Sequence, residues 1–309
     1  MTHAKSPYMH LKFLAFTRRM VTRKAANKPD ISLPITSSVP LKLPPEQEGL
    51  FSEVLSILES DLVPYAVAGA FALQQHTGIC HFTKDLDLYV TPPNASQALN
   101  LLEDKGFDCE ICDPVWLAKA HRDDYFIDLI TGMSNGAITV DDSWIKRSHP
   151  AVIVKTRTRV LAPEELIASK LFVTRRERFD GADIAHVIYA LKGELEWNRI
   201  LELAGEHWEL VLWNLVLFRY VYPAQSAYVP QALWKDLLSR FSSELRSPNA
   251  RARFRGSLID DKMFAIDTDE WGLENLMEEY QQKRMKISPR QASAVSDVKS
   301  GRIMEIKKK

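Results

Sequence analysis

The nine residues FTKDLDLYV, from Phe82 to Val90, constrain the fold of this chain more than any other stretch. Side chains alternate across a strand, so Asp85 and Asp87 point to one face while Leu86 and Leu88 point to the other. A fold that holds this strand must bury one face and open the other to something polar. Two bare carboxylates in a dry site cost several kcal/mol. A divalent cation reverses that balance, and Mg²⁺, which takes carboxylate oxygens together with substrate phosphates, suits the pair best. The alternative is a solvent-facing strand end, with both aspartates capped by water or paired with Lys84.

The surroundings read as alternating strands and helices. YAVAGA is a short buried strand running into a turn, FALQQHT a helix, and DLDLYV the second strand. ASQALNLLEDKGF is a helix ending at Gly106, DYFIDLIT a strand, and AVIVKTRTRVLA one more. Such alternation implies a layered α/β domain. Ahead of it, EQEGLFSEVLSILESDL has helical rhythm and follows a linker rich in proline and serine.

From Pro163 the pattern turns helical. PEELIASKLFVTRRERF opens with proline and two glutamates, as a helix start favours, and ADIAHVIYALKG closes on glycine. NRILELA, WELVLWNLVLFRYV, QALWKDLLSRF and WGLENLMEEYQQKRM continue the series. The expected organisation is a basic arm and linker at 1–44, a domain with a mixed sheet flanked by helices at 45–162, an all-helical domain at 163–285, and a basic tail at 286–309. The arm and tail are too polar to pack and are expected to be disordered.

Formal net charge is zero, but residues 1–44 hold eight Lys/Arg against one Asp, and residues 283–309 hold nine against two acids. The body is correspondingly acidic. Basic ends fit RNA or an acidic partner, and equally fit solvated tails. No run approaches the roughly 20 apolar residues needed to span a bilayer. Three cysteines without a secretory signal fit a cytoplasmic protein. Cys109 and Cys112 lack the second pair that a zinc site requires.

Two further features bear on the carboxylates. Gly69 follows the apolar strand and opens a helix, so backbone N–H groups at a positive helix end can meet a phosphate. Asp128 interrupts another apolar strand, YFIDLI. The arrangement VAGA, then DLDLYV, then YFIDLI resembles the DNA polymerase beta-like nucleotidyltransferase superfamily. That resemblance implies two metal ions, Mg²⁺ with Mn²⁺ as substitute, held by Asp85, Asp87 and Asp128. Asp128 would also help activate an attacking hydroxyl. It implies an NTP substrate, with Gly69, Ala70, Thr83 and Lys84 on the nucleotide. Ala70 departs from the usual Gly or Ser, which leaves the phosphate contact to the backbone.

The segment from Lys170 to Asp183 is similar to that of bacterial toxin-type nucleotidyltransferases of toxin-antitoxin and abortive-infection systems. By that likeness Lys170 and Arg175 or Arg176 would meet the triphosphate, and Asp183 would close the site. Phe179 stands where the family carries arginine. The blander readings are a surface ion pair for Lys170 and a helix cap for Asp183. His186 and most of the seven tryptophans read as packed residues. Arg246, Arg251, Arg253 and Arg255 read as a solvated run or as an RNA grip.

The expected activity is transfer of a nucleoside monophosphate from an NTP to a hydroxyl or phosphate acceptor, with release of pyrophosphate. The acceptor is left open among transfer RNA or other RNA, a protein and a small molecule, and so is an antitoxin partner. The alternatives are a protein of the same fold that binds nucleotide without turnover, and an RNA-binding protein working through its basic arms.

Overall fold

Helix α1 (Pro45–Ser60) opens the part of the chain that the computed structural model describes, residues 43–287. Its apolar residues recur every three or four positions, and Phe51, Val54, Leu55 and Leu58 are fully buried. Strand β1 (Ala66–Val67) runs straight into α2 (Gly69–Thr77), followed by β2 (Asp85–Tyr89) and α3 (Pro92–Asp104). Strands β3 (Asp108–Asp113), β4 (Leu117–Arg122) and β5 (Tyr125–Ile130) form an antiparallel meander. After α4 (Asp142–Arg147) comes the hairpin β6 (His149–Ile153) and β7 (Thr156–Val160). The seven strands make one mixed sheet in the order β3-β4-β5-β2-β1-β7-β6. The β2–β5 and β1–β7 pairs are parallel.

The rest is helical: α5 (Pro163–Lys170), α6 (Gly181–Ala190), α7 (Trp197–Ala204), α8 (Trp208–Val221), α9 (Gln231–Arg246), α10 (Gly256–Ile259), α11 (Ala265–Asp269) and α12 (Leu276–Ile287). The sheet carries a different core on each face. Leu86, Leu88, Ile127 and Leu129 pack beneath α1 and α3. Tyr89, Ile130 and Val160 join Leu166, Ile184 and Leu215 from α5, α6 and α8 on the other side. Each such side chain contributes about 1.5–3 kcal/mol by leaving water. The second core runs continuously from the sheet into the helices. No helix among the described residues is long and apolar enough to cross a membrane.

Several sequence expectations need correction. AVIVKTRTRVLA is two strands, because Val154 and Lys155 take positive φ values of 42° and 66° and reverse the chain. Neither residue type signals such a turn, so the sequence reads as one strand. Strands β3 and β4 went unread because their mix of Cys, Glu, Ala, Lys and His lacks a sustained apolar alternation. The helix from Pro163 ends at Lys170, and residues 171–180 double back with a bridge between Thr174 and Phe179. α12 begins only at Leu276, since Gly272 adopts a left-handed conformation ahead of it. Trp144 and Trp208 are core residues, whereas Trp213 and Trp271 are exposed. Of the arm 1–44 and tail 286–309 expected to be disordered, 1–42 and 288–309 lie outside the described residues, while α12 runs on through 286 and 287.

Candidate active site

Strand register brings the three aspartates together. Asp87 on β2 pairs in parallel register with Asp128 on β5, and Asp128 pairs in antiparallel register with Lys119 on β4. Asp85 lies two residues before Asp87, on the same face. One carboxylate oxygen from each of Asp85, Asp87 and Asp128 falls within 4.8 Å of the others. The alternating burial of β2 keeps Leu86 and Leu88 fully buried while both aspartates stay partly open. Burial, then the charges of Asp85 and Asp128, push the Asp87 carboxyl up to about 7. Burial also raises Asp128, against the opposing pull of Lys119, whose Nζ donates to Asp128 Oδ1 at 2.5 Å.

Gly69 closes the other end of this row. The Ala68 N–H donates to Asp87 O at 2.8 Å, and Gly69 takes φ +53°. A Cβ there would lie 1.7 Å from Asp87 Oδ2. Only glycine fits, both for its backbone and for the carboxylate lying against it. The start of α2 therefore sits beside Asp87 with its first N–H groups unpaired within the helix. Thr83 is bonded through Oγ1 to the Asp85 carboxylate, and its carbonyl accepts from buried Gln47 of α1 at 2.8 Å.

The helical side supplies a second charged cluster. All of α5 is buried, and Lys170 at its end donates to Asp180 Oδ2 at 2.9 Å and to Asp183 Oδ2 at 2.7 Å. Arg178 grips Asp180 with a two-pronged fork, Nε to Oδ1 and Nη2 to Oδ2, both 2.9 Å. Burial alone would raise the Asp180 carboxyl, but the Arg178 hydrogen bond and Lys170 outweigh it and hold it below the usual range. Arg175 donates to Ser134 Oγ at 2.7 Å from the same turn.

Both clusters line one cavity of about 460 Å³. Its walls include Asp85, Asp87, Asp128, Gly69, Ala70, Thr83, Lys170, Arg175, Arg178, Asp180 and Asp183. The far wall adds Trp116, Met133 and Asn135, whose Nδ2 donates to Leu258 O at 2.8 Å. Of the expected residues, Arg176 lies outside this lining, leaving Arg175 as the arginine of that pair on the cavity, and Lys84 lies outside it too. Lys84 is exposed, because an even position ahead of β2 shares neither the face nor the direction of Asp85 and Asp87.

Sequence reasoning missed Arg178 and Lys119. The arginine sought in the place of Phe179 lies one residue earlier, while Phe179 itself is half exposed. Lys119 becomes visible only once β4 is known to pair with β5. Cys109 is buried and Cys112 exposed on β3, and burial raises both thiols, so neither is a primed nucleophile. Of the basic run, Arg253 holds Glu274 and Glu279, and Arg255 holds Glu209 and Glu206. His186 is half-buried on α6 with no protein partner for Nδ1 among the described residues.

Three carboxylates so close make a hard oxygen donor set suited to a divalent cation, which would offset both causes that raise Asp87, burial first and then the charges of Asp85 and Asp128. A sequence profile described as a nucleotidyl transferase of unknown function (DUF2204) matches residues 48–209, just over half of the chain. Among solved structures, an antigenic nucleotidyltransferase-like protein from Paracoccidioides brasiliensis is 17% identical, with a TM-score of 0.41 over 60% of this chain and 95% of that one. The antibiotic-resistance factor ANT(2'')-Ia is 14% identical, with a TM-score of 0.40 over 60% of this chain and 98% of that one. The lincosamide antibiotic adenylyltransferase LnuA is 15% identical, with a TM-score of 0.33 over 46% and 95%. No curated protein matches significantly.

Proposed function

The chain belongs to the DUF2204 family of nucleotidyl transferases, and from that premise we propose that it moves a nucleoside monophosphate from an NTP to a hydroxyl or phosphate acceptor, releasing pyrophosphate. One observation carries the reading: Asp85, Asp87 and Asp128 converge within 4.8 Å beside the Gly69 turn. Asp85 and Asp87 would hold divalent metal, Mg²⁺ by preference, with Asp128 completing the set. The bound cation would polarise the α-phosphate and offset the charge gathering on the departing pyrophosphate.

The protein's own groups position the reactants. Backbone N–H groups from Gly69 and Ala70 at the start of α2 face the phosphates, with Thr83 fixing the Asp85 carboxylate. Lys170, Arg175 and Arg178 approach from the helical side, where Asp180 and Asp183 hold the first and last of these charges in place. The acceptor oxygen bonds to the α-phosphorus as the bond to the bridging oxygen breaks and pyrophosphate leaves, and where the acceptor is a hydroxyl Asp128 takes its proton. Residues 45–162 then act as the metal and phosphate lobe and 163–285 as the lobe that grips the nucleotide from above. An odd count of three cysteines and an NTP substrate favour the cytoplasm.

Incubating the protein with each α-labelled NTP and a whole-cell extract tests the reaction and identifies the acceptor. The reading expects label in one class of acceptor, RNA, protein or small molecule, together with pyrophosphate. NTP binding without pyrophosphate would favour a nucleotide-binding protein without turnover.

A further inference from the structure

Among the described residues, Lys119 is the cation that the sheet itself places in the row of carboxylates. Its Cα partner across β4 and β5 is Asp128, and its partner across β3 and β4 is Glu110. The ammonium reaches Asp128 Oδ1 at 2.5 Å and lies 4.0 Å from the centre of the Phe126 ring. Phe126 and Asp128 are two residues apart on β5, so both anchors rise from the same face. A lysine held at once by a ring and a carboxylate is built into place. Its side chain keeps 25% exposure, and it stands outside the cavity lining, on the outer flank of Asp128.

We infer that Lys119 is a positioning residue that holds Asp128 through Oδ1, leaving the other oxygen for the reaction and lowering the site's affinity for its cation. The inference rests on the proposed metal role of the aspartates. Without Lys119 the row loses its one ion pair among the described residues, and a cation binds it more tightly. The Asp128 carboxylate is then free to turn, and the acceptor is poorly placed. Loss of Lys119 therefore moves metal affinity and turnover in opposite directions. A merely structural lysine would weaken both.

The test is Mn²⁺ titration of the full chain, read by the free-ion electron spin resonance signal. Lys119→Met is expected to bind Mn²⁺ about tenfold more tightly than wild type, or ~1.4 kcal/mol, with Lys119→Arg restoring the wild-type value. Turnover of NTP by Lys119→Met should fall with little change in KM for NTP. Unchanged or weaker Mn²⁺ binding in a folded Lys119→Met protein overturns the inference, whereas failure of the wild type to bind Mn²⁺ instead overturns the metal reading of the site. Should Lys119→Met not fold, the wild type still decides. The nitrogen resonance of the Lys119 ammonium must keep its carboxylate-bonded signature when Mg²⁺ is added, and its loss contradicts the inference.

Discussion

Two clusters of buried charge differ in how well they are balanced. On α5, Glu165 is fully buried and accepts from Arg147 Nε at 3.0 Å and Arg199 Nε at 2.9 Å, while Glu164 accepts from the Glu196 N–H at 2.8 Å and pairs with Arg147. That network ties α4, α5 and α7 together, with each buried acid on at least one arginine. Even so, Glu165 Oε2 has no hydrogen-bond partner among the described residues, and burial still raises that carboxyl. The row on β2 and β5 sets three carboxylates against one ion pair among the described residues, Lys119 to Asp128, while the charges of Arg178 and Lys170 offset Asp87 only in part. The balanced cluster holds elements in place, and the unbalanced one stores repulsion that a ligand can relieve. Under-compensation therefore separates a site from a structural ion pair better than burial does.

Breaking each cluster should give opposite results. Asp85→Ala or Asp87→Asn is expected to cut nucleotidyl transfer by at least ~10³-fold, measured with α-labelled NTP, while the protein stays folded. Glu165→Ala is expected to cost about 2–3 kcal/mol in denaturant unfolding, because it empties a fully buried position and takes from Arg147 and Arg199 the acid they share, leaving each with its outer partners. Its residual transfer, measured well below the melting temperature, should be close to wild type. A stable Glu165→Ala protein would erase the distinction between the clusters.

Smaller effects sharpen the contrast. Asp87 rises from its ordinary 3.8 to about 7. The folded state thus holds that proton more tightly, and its contribution to stability is lost as pH rises through this window. His76 is buried and falls from 6.5 to about 4, so its contribution is present above 6.5 and lost as pH falls to 4. In chelator the two slopes oppose each other. Asp87→Asn should gain about 1–3 kcal/mol over wild type above pH 7 and show a stability that climbs steadily between pH 4 and 6.5. Thermal melts across that range check both points. Smallest, Arg178→Lys should weaken NTP binding by about tenfold through loss of its fork, with little change in melting temperature because the side chain is 69% exposed.

The sequence made the acidic face legible because a strand's period of two is strict: Asp85, Asp87 and Leu86 can sort only one way. Gly69 and Asp128 were likewise readable, the one a glycine just past an apolar strand and the other an acid within one. Lys119 and Arg178 were not, since each depends on a tertiary pairing with no local signature. Lys119 needs the register of β4 on β5, and Arg178 needs the chain reversal that follows Lys170. The hairpin at Val154 and Lys155 was hidden for a related reason, as the core around it imposes positive φ on residues that do not favour it.

Crystals grown with Mn²⁺ and a non-hydrolysable NTP analogue test the central claim most directly, through the anomalous signal of the ion. The account predicts a peak between Asp85 and Asp87, about 2.1 Å from an oxygen of each, with the phosphates against the start of α2. An ion bound elsewhere, with the three carboxylates left facing only one another and Lys119, would contradict it.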